Sequence, residues 1–164
     1  MLKPEIIDIN IMATERWQYF YDHLPDSDDL TLIVLKGHLL IEEEINETLS
    51  VLVKDPQPLF KEKLPFSHRL AVLRALLGPV LSNAHGIDSV AKLNIIRNKM
   101  AHNLVPRKLD EAINEFIKMT FSQVGADFIE ELSQSHQVRT GIATICARFV
   151  GYRAGYLLGK GSSA

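Results

Sequence analysis

One cysteine, Cys146, and one tryptophan, Trp17, are all that 164 residues hold of those two types. A lone thiol excludes an internal disulfide framework and a zinc site built from cysteines. Neither sign of charge dominates, because 18 Lys and Arg against 20 Asp and Glu leave a formal net charge of −2. No broad positive field draws in nucleic acid from a distance, so any phosphate contact must come from a local cluster. Sustained apolar–polar alternation between turn residues is missing too, and with it the signature of β-strands. There is no internal repeat, low-complexity tract or linker of domain-boundary type. Met1-Leu2-Lys3-Pro4-Glu5 leads quickly to Asp8 with no apolar run of the signal-peptide kind, which makes the cytoplasm the expected location. Residues 140–159 are mostly apolar, yet Arg148 and Arg153 lie among them. Each would cost about 2.5–3.5 kcal/mol near a bilayer centre, so a packed core helix is expected there and no membrane span.

What is present is helical pattern. Hydrophobic residues at 46% and charged residues at 23% suit a globular protein, and the length suits one domain with its own core. A first helix is expected over about 13–23, with Trp17, Phe20 and Tyr21 to bury. A long one is expected over about 28–54, begun by Asp26-Ser27-Asp28-Asp29 and ended at Asp55-Pro56. Another follows Pro65-Phe66-Ser67, with Leu70, Leu73, Leu76 and Leu77 as its apolar face. A fourth starts near Asp88-Ser89 and stops before Pro106; further helices are expected over about 108–123, 127–135 and 138–158. The tail from Gly159 to Ala164 is expected to be loose. The expected architecture is a single all-α domain over residues 1–164, a helical bundle.

Helical phase sorts the charges. At roughly 100° per residue, the long helix gathers Val34, Leu35, Leu39, Ile41, Ile45, Leu49, Leu52 and Val53 into one arc. His38 and Glu42 fall inside that arc, one turn apart, whereas Glu44 and Glu47 fall outside it and read as a solvated face. A carboxylate on a core face needs a partner. In the fourth helix Val90, Leu93, Ile96, Met100, Ala101 and Leu104 form the apolar arc, with Arg97 near its middle. Arg97 is therefore expected to meet Glu42, inside the bundle or at the edge of a cleft. Arg69 and Arg74 are expected to face solvent.

The run Ile96-Arg97-Asn98-Lys99-Met100-Ala101-His102 holds the chemistry. Arginine is always charged and donates in pairs, which suits a phosphate. Histidine can give and take a proton near neutrality. Together they are a minimal kit for cutting RNA without a metal. Asn98 and His102, at i and i+4, share a face. His102 lies about 140° around an ideal helix from Arg97. Arginine's reach, or a break near Asn103, would be needed to bring the three together. Lys92, Lys99, Arg107 and Lys108 flank the run as candidate guides for a phosphate backbone.

Arg97-Asn98-Lys99-Met100-Ala101-His102 resembles the Arg-x4–6-His signature of the HEPN superfamily, in the form with Asn after the Arg. The segment from Phe66-Ser67-His68-Arg69-Leu70 to Gly78, followed some twenty residues later by Ile96-Arg97-Asn98, is similar to the mannitol operon repressor-like branch. So is the acidic segment Leu40-Ile41-Glu42-Glu43-Glu44-Ile45 ahead of it. The likeness covers roughly residues 28–125, with a HEPN-like core expected over about 28–158. It implies an all-α bundle, often a homodimer that joins two motifs in a composite cleft. It further implies a metal-independent endoribonuclease, a toxin or defence RNase acting on RNA and paired with an antitoxin. In that scheme His102 acts on the attacking 2′-hydroxyl or the leaving oxygen, Arg97 holds the scissile phosphate, Asn98 orients one of them, and Glu42 positions Arg97. The repressor-like branch also implies an alternative, a non-enzymatic transcriptional regulator that works through a protein partner.

No metal or cofactor is expected. A di-iron bundle needs Glu-x-x-His pairs on two helices, and the chain has none. Ala143, Ala147, Gly151, Gly155 and Gly159 recur every four residues and form a small-residue stripe on the last helix, suited to close packing or a dimer seam.

Overall fold

The helix from Leu30 to Leu52 is covered on nearly every side, and the rest of the chain is arranged around it. In order, the elements of the computed structural model are α1 (Pro4–His23), α2 (Leu30–Leu52), α3 (Gln57–Lys61), α4 (Phe66–Ala84), α5 (Ile87–His102), α6 (Leu109–Phe121), α7 (Asp127–Glu130) and α8 (Gln134–Gly161). The structure describes the backbone of residues 4–84, 86–104, 106–122 and 127–161, and the side chains of those from 14 onward except 127, 128, 160 and 161. The fold is the expected all-α bundle. No single helix among the described residues is long and apolar enough to cross a membrane.

Local chemistry sets the helix limits. Asp29 caps α2, its Oδ1 accepting from Leu32 N at 3.0 Å. Gly78, at φ +71°, breaks α4 just before Pro79, because only glycine takes that backbone region freely and proline has no N–H to continue the ladder. The expected helix over 127–135 is only the short α7. Ser133 then starts α8 early: its carbonyl accepts from Gln137 N at 2.9 Å and its hydroxyl from His136 N at 3.4 Å. At the other end α8 continues to Gly161, past the expected stop, and residues 162–164 lie outside those described.

α8 packs most extensively on α2, and Gly37 permits it, since a Cβ there would sit 2.4 Å from Ile142 Cδ1. α5 fits between α2 and α6, α4 covers α2 and α5, and α1 lies on α8. The core is built from Ile33, Ile41, Ile45, Leu73, Leu93, Ile96, Phe116 and Phe149 among others. Several aromatic and aliphatic expectations are corrected here: Leu39 is 54% exposed, Tyr21 69% and Trp17 39%, while only Phe20 of the α1 aromatics is buried. The small-residue stripe divides: Ala143 packs against the core, whereas a Cβ on Gly151, Gly155 or Gly159 would meet nothing within 4 Å.

The largest correction is Glu44. Read as part of a solvated face, it is fully buried. Arg16 Nε of α1 lies 2.6 Å from its Oε1, and Arg153 Nη2 of α8 lies 2.7 Å from its Oε2. Arg153 Nη1 also donates to Glu44 O and Thr48 Oγ1, both at 3.2 Å. One carboxylate thus joins three helices. A central helix has more than one buried face, and a single apolar arc cannot describe it.

Candidate functional site

α5 carries Arg97, Asn98 and His102 at its C-terminal end. The helix holds regular geometry through His102, and Asn103 leaves it in an extended conformation (φ −135°, ψ 127°). Asn103 closes the end by donating its backbone N–H to Lys99 O at 3.2 Å and its side-chain amide to the same oxygen at 3.0 Å. The break therefore falls one residue too late to swing His102 toward Arg97. Arg97 is half-buried and its Nη1 donates to Asn98 Oδ1 at 3.0 Å, while Asn98 and His102 are exposed. Asn98 is the link between the other two: bonded to Arg97 and one turn from His102.

The expected Arg97–Glu42 pair is not formed. Glu42 Oε1 is held instead by Arg69 Nη2, and Arg69 Nη1 donates to Asn46 Oδ1 at 2.5 Å. Arg69, expected in solvent, is 13% exposed in its side chain. It enters from the first turn of α4, which lies over the Glu42 face of α2, and so reaches the carboxylate before α5 does. Arg97 has no carboxylate partner among the described residues; its polar contact is Asn98.

Beneath Arg97 lies a group that sequence reasoning placed on the core face without a role. His38 is buried, its Nε2 3.0 Å from Asn94 Oδ1 on α5 and its Nδ1 3.9 Å from Glu42 Oε2. The Phe66 ring covers it, centroid to centroid 4.3 Å. An amide oxygen at Nε2 suits a ring that carries its proton there. Burial pushes the His38 pKa below its usual 6.5, with Arg97 and Arg69 in support, against the hydrogen bond to Asn94 and the charge of Glu42. The unfolded chain binds this proton near pH 6.5 and the folded chain holds it off to lower pH. Stability due to His38 is therefore full above pH 6.5 and is lost as pH falls through and below it. We expect the urea midpoint to drop between about pH 7.5 and 5.5, and to drop less in His38→Gln; parallel curves would refute this.

The surrounding cations are mostly committed. Lys92 pairs with Glu115, Lys108 Nζ lies 3.6 Å from Glu111 Oε2, and Lys99 donates to Arg107 O at 3.0 Å. Arg74, exposed as expected, pairs with Asp88 at 2.5 Å. A shallow groove of about 500 Å³ runs between α4 and α5, lined by Ala71, Ala75, Ala91, Asn94 and Ile95 among others. In steps of three and four residues Ala91, Asn94, Ile95, Asn98 and His102 form one face, so the groove leads to the motif. Burial, and Glu44 after it, push the Cys146 thiol pKa far up, which leaves it inert as a nucleophile. Among the described residues no three His, Cys, Asp or Glu side chains gather as a metal ion would need.

No protein-family model matches the chain, and neither a curated protein nor a solved structure proves similar to it.

Proposed function

We propose that this chain is a metal-independent endoribonuclease of the HEPN type, a toxin or defence RNase. The observation that supports it is the uncommitted Arg97 guanidinium. Arg69 satisfies Glu42, so that carboxylate does not neutralise Arg97, whose Nη1 donates to Asn98 Oδ1. Such a group takes a phosphate bidentately. His102, exposed at the helix end, moves the proton. The 2′-hydroxyl loses its proton and attacks phosphorus, the P–O5′ bond breaks, and the 5′-oxygen is protonated; a 2′,3′-cyclic phosphate and a 5′-hydroxyl result. Because Arg97 and His102 lie about 140° apart on one helix, the site is completed in a homodimer, where the arginine of one subunit serves with the histidine of the other. An antitoxin is the protein partner in this scheme, and Glu42 acts through Arg69 and His38 rather than on Arg97 directly.

The test is cleavage of a structured RNA in EDTA by the full chain beside His102→Ala. Cutting by the wild type and loss of at least about a hundredfold in the variant, a general-acid/base effect, are expected. A specific observation favours the second reading, a non-enzymatic regulator of mannitol operon repressor type. Ile95, Leu76 and Val80 expose large apolar side chains on α4 and α5, and Leu104 beyond them is fully exposed, as at a protein interface. Wild-type protein that cuts no more than the variant assigns the chain to that reading.

A further inference from the structure

The other end of α5, about 15 Å along the helix from Arg97 at 1.5 Å for each of ten residues, holds a small polar pocket of about 150 Å³. Asn83, Gly86, Asp88, Ser89, Ser122 and Arg148 line it. α5 starts after Gly86, at φ +71°, with no side chain capping it. The N–H groups of its first turn therefore lack the acceptor that a Ser or Asp cap supplies, and Gly86, Asp88 and Ser89 of that turn line the pocket. Arg148 of α8 reaches the same point, its Nη1 3.1 Å from where a Cβ on Gly86 would sit and the Ser89 hydroxyl 3.9 Å from it. Any residue but glycine would fill the space.

Two side chains point to a ligand. Ser89 is 2% exposed, and its hydroxyl makes no hydrogen bond among the described residues, though the oxygen keeps an opening to solvent on the pocket side. Arg148 has no carboxylate within reach among the described residues, and its one polar contact, to Thr120 O, is long at 3.4 Å. Burial lowers the Arg148 pKa, as expected for a cation short of an anion. Capping the end of α6 explains that single contact but leaves the other donors of the guanidinium unused. The acidic group at the rim, Asp88, is turned out to solvent and held by Arg74 at 2.5 Å.

We infer that this pocket binds a phosphate group, free or as the terminus of a small phosphomonoester. The anion lies on Arg148, the Ser89 hydroxyl and the free N–H groups of the first turn of α5, where the helix dipole also favours it. The volume is about that of five waters at ~30 Å³ each, which admits one tetrahedral anion and excludes a nucleoside. The site is independent of the ribonuclease reading and shares no residue with it.

The experiment is a titration of the full chain with sodium phosphate, and separately with glycerol 3-phosphate, followed by amide ¹H–¹⁵N spectra at constant ionic strength set with sodium chloride. Saturable shifts at Ile87, Asp88 and Ser89 are expected. Arg148→Gln should weaken binding by about tenfold, the value of a charge-assisted hydrogen bond. Ser89→Ala should weaken it by about threefold and keeps the comparison open if Arg148→Gln fails to fold. Tighter binding of inorganic phosphate assigns the free anion as ligand; tighter binding of the ester assigns the phosphomonoester. Shifts that do not saturate, or that saturate equally in the variants, overturn the inference. RNA cleavage that survives in both variants, while phosphate binding falls, separates this site from the motif.

Discussion

Glu44→Ala should lower the unfolding free energy by about 3–5 kcal/mol, as removal of one partner from a buried ion pair does. Glu44 is fully shielded, and its two partners retain only 23% (Arg16) and 12% (Arg153) exposure. Deleting the carboxylate leaves two guanidinium groups facing each other with little water between them. The cost is repulsion plus lost hydration, and both exceed the small packing loss. Domains of this size are held by about 5–15 kcal/mol in all, so the variant should sit near the edge of folding. Urea denaturation followed by far-UV circular dichroism reads it directly. Arg16→Ala should cost less, because Arg153 still neutralises Glu44 and Arg16 has water to spare. A loss below about 1 kcal/mol in Glu44→Ala, the range of surface pairs, would show that the triad does not hold α1 and α8 to α2.

The second large effect separates Arg97 from Glu42. Arg97→Ala is expected to cut RNA cleavage by about 10²–10³-fold, the usual result of deleting one donor to a developing oxyanion. Its stability should hardly change, since its contact is with the neighbouring Asn98. Glu42→Ala should do the reverse. It leaves Arg69, 13% exposed, without its carboxylate, and removes the acidic neighbour of His38. Thermal stability should fall, and cleavage by the protein that remains folded should change much less than in Arg97→Ala. Loss of cleavage in Glu42→Ala at unchanged stability would instead put this carboxylate in direct contact with the reaction.

Much of the fold was legible because helix signals are local. The Asp29 cap, the stop ahead of Asp55-Pro56 and the inward phase of Ile41, Ile45, Leu93 and Ile96 depend on residues within a few turns. Ser133, which starts α8, was an equally local signal that went unread. The shared face of Asn98 and His102, one turn apart, was likewise legible, since residues on one helix carry their geometry with them. Glu44 and Arg69 were not. Phase gives the direction in which a side chain leaves its helix, not which helix lies on that side.

The sequence by itself determined an all-α chain, the helix carrying the motif and the angle between Arg97 and His102, because hydrogen bonding along one helix settles all of these. Only the tertiary structure decided that Arg69 rather than Arg97 takes Glu42, and that Glu44 lies buried between Arg16 and Arg153. Those pairings join residues 27 to 109 positions apart. They follow from α2 being enclosed by α1, α4, α5 and α8 at once, so that charges which look peripheral on a single helix become interior when four others close around it.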